Sequence, residues 1–126
     1  MEQANILLVA RSGPLRDALT RIISDISCVD HLYPISSPLL ALKILATMKP
    51  RLVLFCINTP EEETVEALEQ IKQIAPESHC LVMVESTPQG ERARCAGADA
   101  VIVGNVSTRQ LIESIQSALT GASSAQ

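Results

Sequence analysis

Short continuous apolar runs alternate with stretches of helical spacing along this chain, and that alternation limits its fold more than any other feature. Asn5 to Ala10 reads as a strand, and Leu15, Leu19, Ile22, Ile23 and Ile26 then recur on one face of a helix. Val29 to Tyr33 is a weaker second strand. Ser37-Pro38 supplies a cap with proline at the first helical position, and the stripe Leu39, Leu42, Leu45 and Ala46 stops before Pro50. Leu52 to Ile57 is a third strand. Thr59-Pro60-Glu61-Glu62 then reads as a capping box opening a helix with Val65, Leu68, Ile71 and Ile74 inward, its acidic first turn suiting the helix dipole. Cys80 to Val84 is a fourth strand, and Ser86-Thr87-Pro88 caps a short helix ending at Gly97. Ala100 to Val103 is a fifth strand, and Ser107-Thr108-Arg109-Gln110 is a capping box for a last helix carrying Leu111, Ile112, Ile115 and Leu119 to Gly121.

Strands this apolar must be covered on both faces, which implies a parallel sheet with right-handed helical crossovers. The expected fold is a doubly wound α/β sheet of the flavodoxin-like order 2-1-3-4-5, as a single domain over residues 1–121 with a flexible tail at 122–126. Such a sheet places its site at the carboxyl ends of strands one and three, where the order reverses. Ala10, Arg11 and Ser12 arrive there from one strand, and Cys56, Ile57 and Asn58 from the other.

Composition narrows the function. With 126 residues, a net charge of −4 and no long basic cluster, the chain is a poor candidate for direct nucleic-acid binding. Aromatic content of 2% argues against stacking on bases or sugars. No segment is long and apolar enough to span a bilayer, and Met1-Glu2-Gln3 does not open a signal peptide, so a cytoplasmic location is expected. Cys28, Cys56, Cys80 and Cys95 lack CxxC spacing, so neither a zinc site nor a disulfide framework is expected. His79-Cys80 resembles the start of a phosphatase loop, but Ser86 stands where its arginine would be needed. His31 and His79 have no ligand spacing and read as structural. Ser12-Gly13-Pro14 has too little glycine for a phosphate loop. No enzyme, metal or cofactor is expected.

Three segments carry a family resemblance: Ile6-Leu7-Leu8-Val9, Leu52-Val53-Leu54-Phe55-Cys56-Ile57-Asn58-Thr59-Pro60, and Ala96-Gly97-Ala98-Asp99-Ala100-Val101-Ile102-Val103. In their order and spacing they make residues 5 to 120 resemble the receiver domain of bacterial response regulators. The resemblance implies a Mg²⁺ site built from two acidic residues after strand one, a phospho-acceptor Asp after strand three, and a hydroxyl and a lysine that read the phosphoryl group. Position by position, the acidic pair falls on Ala10 and Arg11, the acceptor on Cys56, the hydroxyl on Glu85 and the lysine on Gly104. Ser86 or Thr87 stand beside Glu85 as alternative hydroxyls. Val101 occupies the position of an aromatic switch, and the stretch from Glu85 to Ala96 is about one helical turn short of the family norm.

These replacements imply a receiver-like scaffold without receiver chemistry. A thiol is no ligand for a hard cation, and phosphoryl transfer depends on a metal that neutralises developing charge. Glu85 would repel a phosphoryl group. The expected function is that of an atypical receiver in two-component-type signalling, acting through phosphorylation-independent association with a protein partner: a signalling kinase, a regulator or a second copy. With no effector segment after Gln126, output is expected to pass through that association. The family's output face, helix four, strand five and helix five, offers Arg92, Arg94, Asn105, Arg109 and Gln110. The competing expectation is a redox or electrophile sensor in which the Arg11 guanidinium activates the Cys56 thiol. Against it stands a packed Cys56 with Arg11 paired to Glu85.

Overall fold

The computed structural model describes residues 4–57, 60–104 and 106–120, and the alternation read from the sequence becomes alternating strands and helices. In chain order they are β1 (Ala4–Val9), α1 (Pro14–Ser24), β2 (Val29–Ile35), α2 (Pro38–Leu45), β3 (Leu52–Phe55), α3 (Glu61–Ile74), β4 (His79–Val84), α4 (Thr87–Ala96), β5 (Ala100–Val103) and α5 (Thr108–Thr120). All paired strands are parallel and lie in the order β2-β1-β3-β4-β5, as expected. No helix among the described residues is long and apolar enough to cross a membrane.

Alternation along each strand divides the core in two. Ile6, Leu8, Leu52, Leu54 and Leu81 face α1 and α5, where Leu19, Ile23, Leu111 and Ile115 meet them. Leu7, Val9, Val53, Phe55 and Val82 face the other way, against Ala41, Leu45, Leu68 and Ile71 of α2 and α3. Burying each such side chain contributes about 1.5–3 kcal/mol, so the two-sided cover explains why the central strands read as unbroken apolar runs.

The serine caps form where expected. Ser37 Oγ accepts from Leu39 N–H at 3.2 Å and Ser86 Oγ from Gln89 N–H at 3.4 Å. At α5 the box is reciprocal: Gln110 N–H donates to Ser107 Oγ and Ser107 N–H to Gln110 Oε1, both at 3.1 Å. The box expected at Thr59 is corrected. The N-cap of α3 is Pro60, with no side-chain cap bond, and the Thr64 hydroxyl donates back to Pro60 O at 2.9 Å. Thr59 itself, like Asn58, Asn105 and the tail 122–126, lies outside the described residues.

Several inward faces are also corrected. In α2 the buried residues are Pro38, Ala41 and Leu45, while Leu39 and Leu40 are exposed. In α3 Thr64, Ala67, Leu68 and Ile71 are buried and Ile74 is exposed, because the inward stripe runs on from Ile71 to buried Ala75 and leaves Ile74 to one side. Leu15 is exposed at the start of α1, and Ile26 is buried beyond that helix. β2 extends two residues past Tyr33, through Pro34, and β3 ends at Phe55, which puts Cys56 and Ile57 in the loop.

The amino-terminal end of the sheet is fastened. Asp99 Oδ2 accepts from Lys72 Nζ at 2.7 Å and from Cys80 N–H at 2.8 Å, and Lys72 Nζ also donates to Ser78 O. Arg51 donates to the carbonyl of Leu119 at the end of α5. These bonds hold the ends of α3, β4, β5 and α5 together and leave the opposite, carboxyl end of the sheet to the loops.

Candidate functional site

Parallel strands deliver their carboxyl ends to one rim, and the topology brings the candidate residues to that rim. Ala10 is fully buried and its N–H donates to Ile35 O at 2.9 Å, while Cys56 N–H donates to Val9 O at 2.8 Å. α1, which follows β1, packs on one face of the sheet and α3, which follows β3, on the other, so the chain leaves the two strands in opposite directions and a crevice opens between them. Arg11 is exposed beside it, and Arg16 of α1 donates to the Ala10 carbonyl at 3.5 Å. Glu85 follows β4, exposed, with its N–H held by Gln89 Oε1 at 2.9 Å. Gly104 follows β5 with φ +76, its N–H on Val84 O at 2.9 Å.

The side chains at the two central loops do not fit a magnesium ion. Ala10 is apolar, Arg11 is a cation and Cys56 offers sulfur, so none of the three supplies the oxygen a hard cation requires. Among the described residues no group of three or more His, Cys, Asp and Glu is placed to hold a metal. Of the two hydroxyls beside Glu85, that of Ser86 is engaged in capping α4, and Thr87 is exposed at the first helical position.

All four cysteines are free. Cys56 is 1% exposed, so a redox reading has to bring oxidant to a covered sulfur. Burial pushes the Cys80 thiol up to about 12, against a smaller lowering by Lys72. Cys95 on α4 is exposed and Cys28 is half-buried. His79 opens β4 with its Nε2 buried and unbonded; desolvation holds its pKa below the ordinary value, Asp99 opposing and Lys72 adding to the effect. His31 is exposed next to Asp30 and stacks on Tyr33 at 5.9 Å.

The expected α4-β5-α5 face divides. Arg94 and Arg109 are exposed, Gln110 is exposed and closes the Ser107 box, and Asn105 lies outside the described residues. Arg92 is exposed on α4 and ion-paired with Glu61 in the acidic first turn of α3. Val103, 44% exposed, and Glu113 join the face, lining a groove of about 480 Å³ between β5 and α5 with Val106 and Gln110. The i, i+3, i+4 spacing of Gln110, Glu113 and Ser114 carries that polar stripe in the sequence. Val101 is half-buried under α4, where Gly90 lets the helix backbone approach it.

No protein-family model and no curated protein matches the chain. Solved structures do. The chain superposes on a CheY-like response regulator receiver domain protein from Methanospirillum hungatei JF-1 with a TM-score of 0.82 at 23% identity, covering 99% of this chain and 100% of that one. A LuxR-family two-component response regulator from Aurantimonas sp. SI85-9A1 gives a TM-score of 0.84 at 20% identity, covering 95% and 87%. The receiver domain of the sensor histidine kinase PA1611 from Pseudomonas aeruginosa PAO1, which has a magnesium ion coordinated in its active site cleft, gives 0.79 at 13% identity, covering 94% and 98%. The fold of this chain is that of response regulator receiver domains.

Proposed function

We propose that the chain is a receiver-like signalling domain that works by associating with a protein partner, independently of aspartyl phosphorylation. The observation that carries this reading is the crevice at the ends of β1 and β3. A receiver fold sets its chemistry there, and here Ala10, Arg11 and Cys56 provide neither metal ligands nor an acceptor carboxylate. What remains is a rigid two-sided sheet presenting surfaces, with exposed Arg94, Arg109 and Gln110 along α4 and α5 as contacts.

The test pairs a binding assay with a chemical one. Adding a phosphoryl analogue with Mg²⁺ to the ¹⁵N-labelled chain leaves the amides of Arg11, Cys56 and Glu85 unmoved, and saturable shifts at those residues would sink the reading. Arg94→Glu and Arg109→Glu weaken association with the partner, whereas Cys56→Ser does not. The redox alternative makes the opposite prediction: oxidant changes association, and Cys56→Ser abolishes that change.

A further inference from the structure

The sheet ends in two unlike edges. Along β2, Asp30 and His31 are exposed and Pro34 has no N–H to offer. Ala10 N–H donates to Ile35 O, so Ile35 and, two residues back, Tyr33 turn toward β1, which leaves Pro34 on the open side. Proline and exposed charge thus interrupt that edge and disfavour further pairing.

β5 has no such protection: Ala100-Val101-Ile102-Val103 contains no charge and no proline. Its orientation follows from the ladder. His79 N–H donates to Arg51 O at 2.9 Å, which turns the odd-numbered residues of β4 to β3 and leaves Cys80, Val82 and Val84 for β5. Gly104 N–H reaches Val84 O at 2.9 Å, so Ile102 and Ala100, in step with Gly104, bond β4. The N–H and C=O groups of Val101 and Val103 therefore point to the open edge. Beside that edge runs the groove of about 480 Å³; among the described residues lining it Glu113 is the one carboxylate, with no lysine or arginine, and His79 the one imidazole.

We infer that this edge accepts a sixth strand: an extended segment of a protein partner, alternately apolar, with a lysine or arginine opposite Glu113. The inference rests on the proposed reading of α4-β5-α5 as the output face and adds the mode of binding. Main-chain bonds to Val101 and Val103 supply affinity, and Glu113 supplies charge selection. A second copy is the poorer occupant. Pairing β5 with β5 would bring together two grooves that each carry Glu113 and whose described lining offers no lysine or arginine to meet it.

The probe is an end-capped nonapeptide of alternating valine and threonine with one central lysine, added to the ¹⁵N-labelled full chain. Binding slows hydrogen exchange at the Val101 and Val103 amides by about tenfold or more and leaves the β2 edge unchanged. Glu113→Lys, an exposed substitution, weakens binding about fivefold, and a peptide with central glutamate restores it. Val103→Pro removes one outward N–H without breaking the β4 ladder and weakens binding about tenfold. If the peptide does not bind, or binds without protecting Val101 and Val103, strand addition is overturned. The output-face reading still stands in that case if Arg94→Glu and Arg109→Glu impair partner association, and falls if they do not. Concentration-dependent protection of the same amides in the chain alone also overturns the inference, in favour of a second copy.

Discussion

Gly90 sets how closely α4 lies on the sheet, and Gly90→Ala measures it. A Cβ built there stands 2.9 Å from Val101 Cγ1, 3.5 Å from Val103 Cγ2 and 3.6 Å from Val84 Cγ2. Ordinary contact begins near 3.4 Å, so the first of these must open by at least 0.5 Å (3.4 − 2.9). Val101 yields poorly, because a β-branched side chain has restricted χ1 freedom, and the new Cβ has little room to shift with Val103 and Val84 already at contact distance from it. Overpacking of this kind costs about 1–3 kcal/mol. Against it, alanine gains about 0.8–1 kcal/mol over glycine inside a helix. The overpacking term is the larger, so Gly90→Ala loses about 1 kcal/mol in urea unfolding followed by circular dichroism at 25 °C. On a Val101→Ala background the clash is gone, and the same substitution gains close to the full helix-propensity term. The coupling between the two positions is therefore about 1–3 kcal/mol, well beyond the error of such cycles. If Gly90→Ala stabilises the unaltered chain by about 1 kcal/mol and is additive with Val101→Ala, the close approach of α4 is refuted.

Two further outcomes follow from the buried polar groups. Iodoacetamide labels exposed Cys95 first and Cys80 only on unfolding, since a thiol with a pKa of about 12 is almost wholly protonated at pH 8; equal native rates by mass spectrometry contradict this. Rapid native labelling of Cys56 would instead favour the redox reading. For His79 the lowered native pKa means that, as pH falls below the ordinary imidazole value of about 6.5, the unfolded chain takes up a proton before the folded chain does. Stability therefore declines from pH 7.5 to 5.5, and His79→Gln flattens that slope in urea titrations. An unchanged slope in the variant assigns the pH dependence elsewhere.

Much of the fold was legible because its signals are local. β5 matches its expected limits at both ends, and the serine caps of α2, α4 and α5 form as read, since a cap involves groups within three residues of one another. Helix faces were less legible where the helix is apolar nearly all round. In α2, Pro38-Leu39-Leu40-Ala41-Leu42 offers no polar residue to mark the outside, and the sheet chose Ala41 over Leu39. Pro34 argues against strand locally, yet β2 runs through it because its missing N–H lies on the open edge. Arg92 could be placed on α4 from sequence alone, but its partner lies 31 residues away on α3.

The sequence by itself determined the succession of strands and helices and the chemical character of the crevice. Hydrophobic period and capping are short-range, and no packing arrangement can give Ala10 or Cys56 a carboxylate. Only the tertiary structure decided that Cys56 is covered, that Arg92 pairs with Glu61 of α3, and that Val103 and Glu113 share an open groove at the edge of the sheet. Those outcomes depend on which distant surfaces meet. Such meetings are set by burying two sides of one sheet at once, and no window of neighbouring residues contains that information.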